Sequence, residues 1–459
     1  MKKIYKNFFY KTLIIGTVLT VSSCKKFVEL GAPPTQILFG DAFKTDASAQ
    51  STVLGLYANN VTTSSIGNFS FFSGISADDL QYNGVDPAFQ EFANNAITTR
   101  NSNASNIWAN TYGLIKNTNN TISGISASTT LTPSMKNQLL GEAKFMRAYA
   151  YFYLVNLYGD IPLPLKDDYS AFENATLPRT PSAQVYAQII KDLTEAQSML
   201  PVEYVANNLR IRVNKYAATA LLARVYLYQK DYVNAEAQAT QIIGANVYGM
   251  PSPNASFLNN SSEVIWQLAT LTGFSTFGAN YVTTTATSIP VFSLADVSYQ
   301  SFESAADLRR STWVTPKIVS GKTYYGISKY KLASGNGTEY NIVLRFAEQY
   351  LIRAEARAQQ NNLSGAKTDI DMVRARAGLG GVSAALDQAQ MLTAIEQERK
   401  VEFFGEWGHR WFDLKRTSRA NAVIGALKPT WKSTSVLFPI PQAQILANPS
   451  LTQNPGYQN

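Results

Sequence analysis

The chain has 459 residues, long enough for a large core, and with 45% hydrophobic and 16% charged residues it belongs among folded rather than disordered proteins. A single histidine and a single cysteine exclude a histidine-based catalytic triad, a multi-histidine metal site and an intramolecular disulfide. The formal charge of +8 includes four lysines in the first 23 residues, so the remainder carries only +4; that makes no case for nucleic acid, and no basic run with interleaved aromatics stands out.

Residues 1–23 read as a secretion signal. Lys2, Lys3, Lys6 and Lys11 form a cationic start, and the apolar run Leu13–Val21 that follows is shorter than the roughly 20 residues needed to span a bilayer. Cys24 stands directly after Val21-Ser22-Ser23, in the manner of a bacterial lipobox. This predicts cleavage before Cys24 and fatty acylation (palmitate) of its thiol and new amine, the alternative being an ordinary signal peptide with an incidental cysteine.

Residues 24–43, with Pro33 and Pro34, read as an extended tether. A first helix is expected from about Ala47 to Asn59. From Val61 to Asn103 the stretches FSFFSG and DDLQYNG lie among Ser, Asn and Gly, which is loop chemistry. Helical spacing returns over Ile107–Ile125, where Trp108, Tyr112, Ile115 and Ile122 share a face. The next helix, Pro133–Tyr158, would be on the order of 39 Å long. Thr132 can cap it, Pro133 suits its first position, and Gly159 and Pro162 end it. Phe145, Tyr149, Phe152 and Leu154 lie on one side, while Tyr151, Tyr153 and Tyr158 spread aromatic surface round the rest. Such a helix must be wrapped by others.

Thr180-Pro181 marks another start, for a helix through Leu200. Lys215–Tyr228 and Val233–Ile243 form a helical hairpin with Ala217, Ala220, Ala223, Ala235 and Ala239 at close spacing. The pattern recurs, with Tyr216, Ala217, Leu221 and Ala235 answered by Phe346, Ala347, Leu351 and Ala366, as in tetratricopeptide-like stacks. Between the copies, from about 245 to 340, helical periodicity disappears and aromatics lie among Gly, Ser, Thr and Asn. A stretch of that length predicts a functional, irregular layer with a few short strands. In Ile395–Arg416, Glu398, Glu402 and Glu406 recur every four residues beside Arg399, Lys400, Arg410 and Asp413, a spacing that predicts salt bridges. The proline-rich tail from Leu437 is expected to run extended over the surface.

Several segments carry a family likeness: GEAKFMRAYAYFYLVNLYGDIPL, NKYAATALLARVYLYQKDYVNA, LRFAEQYLIRAEA, VRARAGL, ERKVEFFGEWGHRWFDLKR, FPIPQ and QNPGY, in this order. Together with Cys24 they make the chain resemble the SusD/RagB family of Bacteroidota outer-membrane nutrient-binding lipoproteins. The resemblance implies a mostly α fold of tetratricopeptide-like hairpins, with pairs over about 104–243 and 341–416. Irregular ligand-binding regions would span about 61–103 and 245–340, all within a mature domain of 24–459. It implies a SusC-like TonB-dependent barrel as partner, a lipid-anchored, surface-facing position on the cell outer membrane, and an oligosaccharide or, in some members, a peptide as ligand. Lys25-Lys26-Phe27 departs from the acidic residues that often follow the cysteine in such exported lipoproteins, and this bears on the leaflet.

The aromatic rings and polar groups of the irregular regions supply the candidate ligand contacts, since flat rings stack on sugars and Asp, Asn, Gln or Arg bond their hydroxyls. These are Asp78, Asp79, Tyr82, Phe89 and Arg100 in the first region, and Tyr281, Tyr299, Trp313, Tyr324 and Tyr325 in the second. Phe145, Tyr149, Phe152, Tyr216 and Phe346 are read as core, Arg147, Arg345 and Glu355 as packing salt bridges, and His409 as a structural contact. Glu398 with Glu402, or Asp78 with Asp79, could be imagined as the paired acids of a glycoside hydrolase. Interleaved basic residues favour a structural role for the first pair, and bonding to hydroxyls or an ion suits the second. No catalytic residue, cofactor or metal is expected, and a purely scaffolding helical protein is the remaining reading.

Overall fold

The computed structural model describes residues 41–458, apart from 63, 206–208, 271, 272, 286 and 336, with no side-chain description at 59–68. The expected signal peptide 1–23, the acylated Cys24 and most of the 24–43 tether lie outside the described residues.

The chain opens with α1 (Asp46–Thr62), α2 (Ser64–Ser76), β1 (Leu80–Tyr82) and α3 (Pro87–Ala93). Helix α2 overturns the expectation of loop structure across 61–103. Phe69, Phe71, Phe72 and Ile75 are buried, and so are Ser70, Ser73 and Ser76, so over residues 69–76 no exposed polar face is left for periodicity to reveal. Gly74 is required there, because a Cβ would meet Leu80 Cδ1 at 2.5 Å.

Helix α4 (Ser102–Ala127) is capped by Asn101, whose side chain accepts from the amides of Asn103 and Ala104. Helix α5 spans Pro133–Tyr158 as expected. Its capping differs, because Thr132 Oγ1 donates to Asp46 Oδ2 at 2.7 Å and so ties the helix to the start of α1 instead. Every residue from Ala148 to Val155 is buried. The cover comes from α1, α4, the helices α7 (Ser182–Met199) and α8 (Lys215–Tyr228), and from Trp266, which meets Phe145 and Tyr149 edge-on. The short α6 (Ala171–Thr176) lies on the loop between α5 and α7. Helix α7 begins a residue later than Thr180-Pro181 suggested, because Thr180 exchanges backbone hydrogen bonds with Ile161.

After α8 comes α9 (Tyr232–Gly244), then the irregular layer. This holds β2 (Val264–Leu268), α10 (Gly278–Tyr281), β3 (Phe292–Leu294), α11 (Asp296–Tyr299), α12 (Leu308–Trp313), β4 (Val314–Val319), β5 (Lys322–Ile327) and β6 (Asn341–Arg345). The second hairpin, α13 (Phe346–Gln359) and α14 (Leu363–Arg376), stacks on the first. Ala223, Ala235 and Ala239 interlock there with Ile352 and Ala356, small side chains that let the backbones approach. The chain closes with α15 (Gln388–Glu402), α16 (His409–Arg416), α17 (Ala420–Leu427) and α18 (Gln442–Ala447). The fold is therefore mostly α, with a few short strands.

The tail departs from the expected extended surface run. Phe438 and Ile440 are completely buried, Phe438 N donates to Leu157 O at 2.8 Å, and α18 interrupts the segment. The glutamates of the 395–416 segment are also arranged differently. Helix α15 ends at Glu402, and Glu406 sits on a turn where Gly405, Trp407 and Gly408 have positive φ. All three glutamates nonetheless converge on buried cations. Glu398 meets Arg309; Glu402 meets Arg309, Arg345 and Arg376; Glu406 meets Arg345 and Lys329.

Candidate functional site

One antiparallel sheet, of strand order β1-β3-β5-β4, joins the two irregular regions. Strand β1 comes from the first region, and its Leu80, Gln81 and Tyr82 pair with Leu294, Ser293 and Phe292 of the second. Leu294 also faces Tyr325 of β5. Strands β4 and β5 form a hairpin turned at Ser320 and Gly321, both with positive φ. Side chains alternate across a sheet. Tyr82, Phe292, Leu294 and Tyr325 therefore share one face, and Lys317, Lys322 and Tyr324 the other.

Two half-buried ring pairs mark this surface. Tyr82 lies 5.0 Å from Phe89 with planes 24° apart, and Phe89 rests in turn on Phe72. The Tyr82 hydroxyl accepts from the Asp86 amide at 3.1 Å. Across the sheet, Tyr299 and Tyr325 stack at 3.7 Å and 13°. The Arg310 guanidinium lies 4.7 Å from the Tyr299 ring and donates to its hydroxyl at 3.0 and 3.1 Å. Tyr324 carries the Lys322 ammonium 4.8 Å from its ring. A cleft of about 420 Å³ opens beside the hairpin, lined by Thr283, Pro290, Thr315, Lys317, Gly326 and Ser328 among others.

Four of the expected contacts are placed in the interior instead. Asp78 accepts from Arg410 at 2.7 Å and pairs with Lys400 at 2.9 Å; burial raises its carboxyl, but these cations more than offset it and hold it at about 2. Asp79 Oδ2 accepts from the Gly405 amide at 2.9 Å while Oδ1 has no hydrogen-bond partner, and burial pushes this carboxyl up to about 7. Tyr281 is buried and donates to Gly405 O at 2.8 Å. Trp313 has no exposed surface, donates from Nε1 to Pro253 O at 2.8 Å, and lies under Lys329 and Arg376. Arg100 is exposed, but its Nε is bonded to Gln442 Oε1 at 2.7 Å. That leaves Tyr82, Phe89, Tyr299, Tyr324 and Tyr325 on or beside the sheet surface. Arg310, Lys317 and Lys322 join them without having been singled out from the sequence, while Phe292 is buried against Phe71 beneath Tyr82.

The other residues weighed from the sequence lie in the interior ion pairs. Arg147 grips Asp192 with two bonds of 2.8 and 2.7 Å, and Glu355 pairs with Arg416. Arg345 meets Glu263, Glu402 and Glu406. Burial raises the Glu402 carboxyl, but Arg376, Arg345 and Arg309 outweigh that and hold it well below the usual range. Glu398 is raised by its burial despite Arg309. His409 is buried, stacked on Phe403 at 4.7 Å, and kept neutral by desolvation and surrounding arginines. Among the described residues no group of acids, histidine or cysteine is placed to hold a metal ion, and no helix is long and apolar enough to cross a membrane. Larger clefts open elsewhere. One of about 540 Å³ lies beside Asn156, Tyr186, Tyr228 and Lys415, and one of about 500 Å³ beside Trp108 and Tyr112; neither borders the sheet, whereas the 420 Å³ cleft is walled by β4 and β5 though not by the ring pairs.

Comparison with known proteins places this architecture. A family model described as the SusD family matches residues 276–457, and one described as starch-binding and associating with the outer membrane matches 49–227. SusD-like protein P2 of Formosa agariphila is 29% identical over 98% of this chain and 99% of its own length, and SusD-like protein P38 of the same organism is 24% identical over all of both. A SusD superfamily protein from Bacteroides vulgatus superposes with a TM-score of 0.81 at 19% identity, covering 90% of this chain and 100% of that one. A laminarin-binding SusD-like protein superposes with a TM-score of 0.76 at 24% identity, covering 90% and 100%. With one family model on the helical first half, another on the sheet-bearing second half, and relatives aligned from end to end, the chain belongs to the SusD/RagB family.

Proposed function

We propose that this protein captures an oligosaccharide on the β1-β3-β5-β4 sheet and passes it to a SusC-like TonB-dependent barrel in the outer membrane, without transforming it. In this reading residues 1–23 are a removed leader, Cys24 carries the lipid, and residues 24–459 form the mature SusD-like domain, facing the cell surface. The observation that carries the reading is that two half-buried aromatic pairs from distant parts of the chain are brought to one sheet, Tyr82 of β1 with Phe89 of α3 and Tyr325 of β5 with Tyr299 of α11. Ring faces of this kind suit the apolar faces of sugars. A laminarin-binding structural relative and the starch-binding description of one matched family model support the ligand class. The acids considered for hydrolysis point away from turnover: Glu398, Glu402 and Asp78 are consumed by buried ion pairs, and Asp79 is only 3% exposed.

Calorimetry of the purified protein against a panel of oligosaccharides and peptides tests this. Binding of at least one glycan, weakened tenfold or more in Tyr325→Ala and in Tyr82→Ala, is the expected result. Release of reducing sugar would make the protein an enzyme, binding of peptides alone would make it a peptide receptor, and no binding at all would leave it a scaffold.

A further inference from the structure

We infer that the glycan taken by this sheet is a polyanion, bearing carboxylate or sulfate groups along its backbone; the inference rests on the binding reading above and narrows its ligand class. From Leu308 to Lys331 the chain holds six basic residues, Arg309, Arg310, Lys317, Lys322, Lys329 and Lys331, and no acidic one. They come singly or as one adjacent pair among apolar and aromatic residues, so no basic run announces them in the sequence.

The fold sorts these six into two groups. Arg309 and Lys329 turn inward and are neutralised by Asp307, Glu398, Glu402 and Glu406. Arg310, Lys317, Lys322 and Lys331 reach the surface, and none has an ion-pair partner among the described residues. Lys317 stands directly opposite Tyr324, and Lys322 lies two residues from Tyr324 on the same face. Lys317 lines the 420 Å³ cleft and donates to Thr283 Oγ1 and Thr285 O. Lys331 donates to the carbonyls of Thr312 and Ser328, the latter also a wall of that cleft. Arg310 lies with the Tyr299–Tyr325 stack on the other face.

Carboxylates on the adjoining segments do little to cancel this charge. Asp307 is spent on Arg309, Glu303 on Arg374, and Glu339 on the amides of Lys331 and Leu332. Exposed Asp296 and Asp86 remain against the four cations. On one face Lys317 and Lys322 flank the Tyr324 ring and Lys317 reaches the Thr283 hydroxyl, across the sheet from the Tyr299–Tyr325 stack that Arg310 joins; cations set against tyrosine rings in this way match a sugar chain that presents apolar ring faces beside anionic groups. An anionic lipid headgroup would need the charge but not the rings or the cleft.

The test compares sulfated and uronate oligosaccharides, each beside its desulfated or carboxyl-reduced counterpart, by calorimetry at low and high salt. The charged member should bind at least tenfold more tightly, with the gap closing as salt screens it toward about 1 M. Lys317→Gln and Lys322→Gln should each weaken the charged member by roughly two- to fivefold, the range of single exposed ion pairs, with an unchanged melting temperature. Equal or tighter binding of the neutral counterparts overturns the inference and leaves the glycan-capture reading standing. No binding of either member overturns both. Equal affinity for single-stranded DNA of matched charge, or binding to vesicles containing anionic lipid without binding to soluble glycan, reassigns the patch as a general anion or headgroup surface and also overturns it.

Discussion

Asp79 sits where a carboxylate is hardest to keep charged, with one oxygen on the Gly405 amide, the other unpartnered, and Asp78 next to it. Its carboxyl, pushed up to about 7 chiefly by burial, would titrate at about 3.9 in an unfolded chain. The folded protein therefore holds the extra proton between these values. This contribution to stability is fully present below about pH 4 and is lost as pH rises to 7, a difference on the order of 4 kcal/mol. Asp78, held at about 2, acts with the opposite sign and loses its contribution as pH falls below about 4. Urea denaturation of wild type and Asp79→Asn from pH 4.5 to 7.5 isolates the first effect: the wild type should lose stability relative to the variant as pH rises, and parallel curves would contradict the assignment. At this scale the sequence showed which residue types the irregular regions hold but not which face water. Trp313 illustrates the limit, since its indole is satisfied by the carbonyl of Pro253, sixty positions away, a contact that no local pattern encodes.

Among elements, α5 and the β6–α15 junction are deeply buried. Phe152 of α5 is 1% exposed and meets Tyr153, Tyr228 and Phe412, so Phe152→Ala should cost about 3–5 kcal/mol in urea denaturation. Glycan affinity of the folded variant should be unchanged; a parallel loss of affinity would return that aromatic helix to the binding site. Arg345, at the end of β6, binds Glu263, Glu402 and Glu406 in the interior. Replacing it by alanine leaves buried carboxylates without a partner and should cost about 3–5 kcal/mol, whereas a cost under about 1 kcal/mol would place these groups in water. Helices built from alanine, leucine and other good helix formers were legible even where buried on every side: Pro133–Tyr158 and Lys215–Tyr228 match their expected limits. Helix α2 was not, because its SSIGNFSFFSGIS sequence is dominated by serine, glycine and aromatic residues of low helix propensity. Strands β1 and β3, three residues each, are too short for alternation to register.

Taken whole, the molecule is a stack of helical hairpins that carries a four-stranded sheet and a two-stranded β2-β6 pair, each assembled from separate stretches of chain. Family membership was legible because the packing segments keep their pattern. The ligand surface was only half legible, because pairing of residues 80–82 with 292–294 is a tertiary event that moves Tyr82 beside Phe292 and leaves Asp78 and Trp313 inside. Anchoring has its own test. A Cys24→Ala protein should leave the membrane fraction, and its retention there would contradict lipid attachment. The central claim is that the sheet is where ligand sits, and a crystal structure with a bound oligosaccharide, chosen from the calorimetric panel, tests it most directly. The account predicts sugar density on the four-stranded sheet, against Tyr82, Tyr299 or Tyr325 or in the cleft of about 420 Å³ beside Lys317; density confined to the cleft of about 540 Å³ beside Tyr186 and Lys415 would contradict it.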